Sequence, residues 1–318
     1  MVLYLNNSFN NISAQVTEFL MICLPGMQDT QHWLSVVLVP LLILALGANF
    51  VLLLAIWQEA SLHEPMYYLL VILSILDVIL CLTVIPKVLL IFWFNMKHIS
   101  FSGCFLQMFI MNTFLPMESA TFLVMAYDRY VAICHPLRYP SIINERFVIY
   151  SVIFIVFRNF LATLPTPVLA ARLNYCAGNV VENCICANIS VAKLSCGDIR
   201  LNKLYQFVSV WCLLGSDLIL ILLSYCFILR AVLHLQAGGA ATKALSTCGS
   251  HLILILFFYT LLLVFIFTNK AEKKVPSEVP ILLNVLHHLI PPALNPIVYG
   301  VRTQEIKQGI IKLFKDHY

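Results

Sequence analysis

Seven separate stretches of this chain are apolar for long enough to cross a bilayer, and this repetition restricts the fold more than any single motif does. A transmembrane helix needs about 20 mainly apolar residues. The runs are Trp33–Trp57, Met66–Leu90, Ser102–Ile133, Phe147–Ala171, Leu201–Leu233, Thr242–Thr268 and Ser277–Val301. Charged residues make up only 11% of the 318, against about 25% in a soluble domain, so most of the surface must meet lipid. The expected fold is an all-α membrane protein, a seven-transmembrane helix bundle with a short amphipathic C-terminal helix. In that last segment Ile306, Ile310, Ile311 and Phe314 are expected on one apolar face, with Lys307, Lys312 and Lys315 off it, as for a helix lying on a membrane surface.

The chain divides into an N-terminal tail (1–32), the helical domain (33–301) and an amphipathic helix and tail (302–318). An odd number of spans puts the termini on opposite sides. Basic residues fall on both sides and orient the chain weakly. Two features place the N-terminus outside. Its tail holds two glycosylation triplets, at Asn6 and Asn11, and no Lys or Arg. Four cysteines (Cys176, Cys184, Cys186, Cys196) crowd the long loop Arg172–Arg200, with Cys104 opening the third run, a pattern of an oxidising compartment. Zinc is not indicated, since regular pairing and nearby His are missing. Cys23, Cys81, Cys134, Cys212, Cys226 and Cys248 read as small buried hydrophobes.

No phosphate-binding loop and no H-E-x-x-H or G-x-S-x-G motif occurs. The net charge of +4 comes with no basic patch interleaved with aromatics, so neither an enzyme nor a nucleic-acid binder is indicated. Polar residues inside apolar runs are costly and mark function. Asn49, Asp77, Glu118 and Asn295 lie mid-run. Two carboxylates with no intramembrane Lys beside them point to a bound Na+ or a shared proton at Asp77 and Glu118; the plain alternative is a polar packing seam. No other cofactor is expected. Arg158 and Asp217 are further isolated charges whose pairing the sequence leaves open. Asp128-Arg129-Tyr130 closes the third run, and the plain alternative there is an interfacial ion pair. Pro86, Pro116, Pro165, Pro167, Pro291, Pro292 and Pro296 interrupt the runs and kink helices. A transporter would show paired repeats, and the two halves of the chain show none.

These motifs together resemble the rhodopsin-like G-protein-coupled receptors, specifically the odorant receptors. The resemblance covers about Phe19 to Leu313 and rests on Pro65-Met66-Tyr67-Tyr68, Met125-Ala126-Tyr127-Asp128-Arg129-Tyr130, Ser224-Tyr225, Lys243-Ala244-Leu245-Ser246-Thr247-Cys248 and Pro292-Ala293-Leu294-Asn295-Pro296-Ile297-Val298-Tyr299. Leu24-Pro25-Gly26 and His63-Glu64 resemble the class I, fish-like branch.

The resemblance implies a disulfide from Cys104 to Cys186, with Cys184 as the alternative partner, and a second from Cys176 to Cys196. It implies that Asp128, Arg129, Tyr130, Tyr225, His251, Asn295, Pro296 and Tyr299 form the switch that meets a G protein, with Ser246 beside His251. It implies a ligand pocket of Met108, Met111, Asn112, Leu115, Ser209, Tyr259, Leu262, Leu263, Ile266, Asn284 and His288, with Lys270 as a candidate contact for acids and a solvated loop charge as its plain alternative. The implied partners are a small volatile odorant, a stimulatory olfactory-type heterotrimeric G protein that raises cyclic AMP, and membrane lipid at the plasma membrane. One departure is the loop 235–241, which is poorer in basic residues than the family pattern.

Overall fold

The computed structural model describes residues 16–27, 31–176, 178–234, 238–271 and 274–315, the side chains of 234 and 238–247 excepted. Asn6 and Asn11, and the side chain of Ser246, lie outside what it describes. Seven helices among the described residues are long and apolar enough to cross a membrane: α1 (Gln31–Gln58), α2 (Pro65–Phe94), α3 (Phe101–Cys134), α4 (Glu145–Ala171), α5 (Arg200–Leu233), α6 (Cys248–Lys270) and α7 (Glu278–Arg302). Hydrocarbon offers no partner for backbone groups, so each span closes its hydrogen bonds within itself. Side chains such as Ile43, Phe50, Phe157, Ile219 and Phe267 point outward and exposed, as lipid-facing residues should. α3 is the axis: 67% of its apolar window is buried in the bundle, against 22% for α1.

Proline shapes the spans locally. It lacks the amide proton and crowds the preceding turn. α4 is interrupted at Leu164, just before Pro165, and α7 at His288 and Leu289, just before Pro291 and Pro292. α5 carries one π-turn, Trp211–Gly215. Gly215 lets the chain approach closely there, since a Cβ on it would sit 3.1 Å from the Trp211 ring. Such turns release carbonyls from the regular ladder.

One end of the bundle is capped. Strand β1 (Glu18–Met21) pairs antiparallel with β2 (His98–Ser100) and parallel with β3 (Val180–Val181). Fully buried Phe19 packs against Phe101, Phe105 and Tyr175. The segment expected as tail therefore ends in an ordered strand.

At the opposite end α8 (Gln304–Lys315) follows extended Thr303. Its inner stripe packs on the bundle. Ile306, Gly309 and Leu313 are buried and Ile310 half-buried, whereas Ile311 is 45% and Phe314 57% exposed. The helix turns about 100° per residue, so Ile311 and Phe314 swing off the stripe toward where a membrane surface would lie. Gly309 sets the approach, since a Cβ there would come within 3.1 Å of Leu62. Lys312 pairs with Glu59 at 2.8 Å and, with Ser61, holds that carboxyl below its ordinary range.

Candidate functional site: a capped cavity, a polar connector and a far-end lock

Beneath the capped end lies a cavity of about 190 Å³ between α3, α4, α5, α6 and α7. Of the residues expected to form a pocket, Met111, Asn112, Leu115, Ser209, Leu262, Ile266, Asn284 and His288 line it. Four do not. Met108 is fully buried in the core with Cys104 and Phe105. Leu263 is rotated off the Leu262 face and 37% exposed. Lys270 is exposed at the end of α6, a turn past Ile266. Tyr259 lies a turn deeper than Leu262 and commits its hydroxyl elsewhere. The wall also includes Pro116, Thr163 and Thr166, and Gln206, Val210, Leu213, Leu214 and Phe265.

The roof is Ile185, Ala187 and Asn188 of the long loop. Cys186, between Ile185 and Ala187, is bonded to Cys104, and its amide donates to Gln107 Oε1 at 3.0 Å. Cys176 is joined to Cys196. A third bridge, Cys23 to Cys184, ties the N-terminal segment to the same roof. It corrects two expectations, that Cys23 is a plain hydrophobe and that Cys184 is left over. A signal existed: the long loop and Cys104 together hold five cysteines, so an oxidised set needed a sixth.

Below the cavity a polar connector crosses four helices. Arg158 Nη1 donates to Asp217 Oδ1 at 2.7 Å and Nη2 to the Leu213 carbonyl at 3.0 Å. Ser119 Oγ donates to Asp217 Oδ2 at 2.9 Å and lies 2.7 Å from Tyr259 Oη. Tyr259 also reaches the Leu214 carbonyl at 3.2 Å. Leu213 and Leu214 belong to the π-turn and line the cavity, so the freed carbonyls bind the connector while their side chains form its wall. The sequence left Arg158 and Asp217 unpaired and missed Ser119.

From Tyr259 the packing continues through Phe258 to Phe122 and His251, with ring centroids 5.2, 5.5 and 5.9 Å apart. His251 Nδ1 is 2.7 Å from Tyr225 Oη at the far end. There Arg129 Nε folds back to Asp128 Oδ2 at 3.1 Å, while Tyr139 donates to Asp128 Oδ1 at 3.0 Å. Only an enclosed space of about 40 Å³ separates Arg129 from His251, Tyr299 and their neighbours. The buried Tyr299 hydroxyl has no partner among the described residues. Tyr130 faces away, its Oη 3.2 Å from His135 Nε2. Deep in the bundle Asn295 Nδ2 donates to both oxygens of Asp77 at 3.1 and 3.0 Å. The Glu118 carboxyl is buried beside Asp77, and Asn49 Nδ2 donates to the Ala45 and Pro292 carbonyls at 2.9 Å each. Pro296 follows Asn295 inside α7.

The fold is that of a solved receptor: squid rhodopsin superposes with a TM-score of 0.73 over 90% of this chain and 81% of that one, at 15% identity. The family model for olfactory receptors matches residues 37–317. The chain belongs to the olfactory receptor family. Human Olfactory receptor 56A4 is 67% identical over 96% of this chain and 98% of its own length. Human Olfactory receptor 56B2 is 51% identical over 99% of each chain. The receptor is thus a multi-pass membrane G-protein-coupled receptor, not an enzyme.

Proposed function

We propose that the receptor binds a small volatile organic molecule in the capped cavity and activates a stimulatory heterotrimeric G protein at the opposite end, raising cyclic AMP. In this reading the capped end and the N-terminus are extracellular, and the C-terminus is cytoplasmic at the plasma membrane. The disulfide-bonded cap suits an oxidising compartment.

One observation carries the proposal. Leu213 and Leu214 are shared between the cavity wall and the Arg158–Asp217–Ser119–Tyr259 connector, which packs on toward His251 and Arg129. A ligand shifts an equilibrium only by binding its two states unequally. A molecule pressing on those two leucines has a means to do so. Asp77, Glu118, Asn49 and Asn295 would hold a Na+ ion or a shared proton between the two ends. The buried Glu118 Oε1, which lacks a partner among the described residues, fits either.

The test is a cyclic AMP reporter in cells displaying the receptor and exposed to an odorant panel. Ligand-evoked signal that is lost in Arg129→Ala at equal surface display is expected. A response indifferent to Arg129, or a ligand-gated current without G protein, overturns the reading.

A further inference from the structure

Granting that the cavity is the ligand site, we propose that it selects neutral ligands of about 8–10 heavy atoms carrying one oxygen function, and rejects carboxylates and amines of the same skeleton.

Size comes from the volume. An apolar cavity of about 150 Å³ holds benzene. At about 190 Å³ this one takes a molecule slightly larger. Polarity comes from the wall. Among the described residues that line it there is no Lys, Arg, Asp or Glu. A buried ion without a counter-ion is strongly disfavoured. Lys270, the expected contact for acids, lies outside in solvent.

The oxygen function has a specific place to bind. Asn188, in the roof, is only 2% exposed. Its Nδ2 donates to Gln206 Oε1 at 2.8 Å, and its own Oδ1 is buried with no partner among the described residues. The pairing leaves Gln206 with its Nε2 donor. Asn188 thus orients the Gln206 amide, whose Nε2 is the donor left for a ligand oxygen on the wall. Of the other polar groups on the wall, Asn112 Nδ2 is held by the Met108 carbonyl, the Thr163 hydroxyl by Thr113 and His288 Nδ1 by the Asn284 carbonyl, while the hydroxyls of Thr166 and Ser209 and the Asn284 amide stay available to a ligand oxygen. A ketone takes the Gln206 donor. An alcohol takes the same donor, whereas a hydrocarbon leaves it unpaired. Asn188 also heads an Asn-Ile-Ser triplet. Its burial leaves no room for a glycan, so the folded receptor carries none there.

The test uses the full-length receptor in lipid nanodiscs and reads thermal stabilisation by four compounds of one skeleton plus an amine: acetophenone, 1-phenylethanol, ethylbenzene, phenylacetate and phenethylamine. Acetophenone and 1-phenylethanol are expected to stabilise at concentrations at least ~10-fold lower than the other three, a ~1.4 kcal/mol preference. In Asn188→Leu and in Gln206→Met the advantage over ethylbenzene should vanish, and Leu262→Trp should abolish every response by filling the cavity. Each variant is compared with wild type for its ligand-free midpoint and surface display, and Gln206→Met covers the case in which Asn188→Leu fails to fold.

Stabilisation by phenylacetate or phenethylamine equal to that by acetophenone overturns the proposal. So does silence toward all five compounds, an unchanged preference in the folded amide variant, or a glycan at Asn188. Selective stabilisation without any cyclic AMP response would leave this inference standing and remove the signalling reading.

Discussion

The hydroxyl of Tyr259 on α6 lies 2.7 Å from the hydroxyl of Ser119 on α3, at the point where the cavity floor meets the Arg158–Asp217 ion pair. Tyr259→Phe removes that bond and keeps the ring packed on Phe258. Net loss of a neutral hydrogen bond is about 0.5–1.5 kcal/mol. Agonist potency is therefore expected to fall by a factor of about 2–12 with surface display unchanged. Unchanged dose–response curves would show that the connector carries no signal.

The ion pair itself should behave as a buried one. Asp217 is 1% exposed and Arg158 19%. Asp217→Ala or Arg158→Ala strands a charge in the bundle and is expected to destabilise the receptor by about 3–5 kcal/mol. Replacing both by apolar residues should recover much of that. A double-mutant cycle on thermal midpoints of the purified receptor checks it. Additive losses would mean that the two charges do not interact.

The third bridge makes a chemical prediction. Non-reducing peptide mapping should recover Cys23 linked to Cys184. Cys23→Ser is expected to cost about 2–4 kcal/mol of stability and to weaken ligand binding, because Ile185, beside Cys184, is part of the cavity roof. A Cys23 thiol that alkylates freely in the native receptor contradicts the arrangement.

Tyr139 tests the far-end lock. Burial and the neighbouring Asp128 carboxylate keep its hydroxyl protonated well above the ordinary tyrosine range, so it acts as a donor at every physiological pH. Tyr139→Phe leaves Asp128 held by Arg129 alone. A hydrogen bond to a charged group is worth about 1.5–3 kcal/mol, and loosening the pair is expected to raise ligand-free cyclic AMP at least several-fold. Basal signal at or below wild type would show that Tyr139 does not hold the resting state.

The docking of α8 has a pH signature. Lys312 and Ser61 depress the Glu59 carboxyl. A group whose pKa falls on folding contributes stability above its unfolded pKa and loses it as pH drops through the folded value. The Glu59–Lys312 contact is solvent-exposed, so Lys312→Ala should have a small effect that fades in high salt and in acid. Gly309→Leu should undock α8 at any pH by colliding with Leu62. Probe mobility on α8, read by electron paramagnetic resonance, separates the two.

The spans were legible because lipid simplifies the rule: long apolar runs become helices, and their limits differ from the structure by a few residues. Much of the cavity face was legible for a related reason, since Leu262 and Ile266, or Met111 and Leu115, repeat at helical spacing. Long-range pairing was not. Arg158 and Asp217 lie 59 residues apart, and Cys23 and Cys184 lie 161 apart. Periodicity along one helix says nothing about which neighbour it will face. The contact that docks α8 on the bundle was not legible, because Gly309, which has no side chain to mark it, is the closest approach. The cavity roof was missed because Asn188 opens a helix of only five residues, Asn188–Ala192, too short for a period to reveal it.

The central claim is that filling the capped cavity opens the far end. Cys248 reports on this directly. It is 4% exposed and packs with Ile228 and Val232 near Tyr225. The decisive measurement is its rate of modification by an impermeant thiol reagent applied to the cytoplasmic face of inside-out vesicles, read by mass spectrometry with and without agonist. The account predicts about a tenfold or greater acceleration by agonist, lost in Leu262→Trp, with buried Cys81 unchanged. A Cys248 rate that saturating agonist leaves unaltered would contradict it.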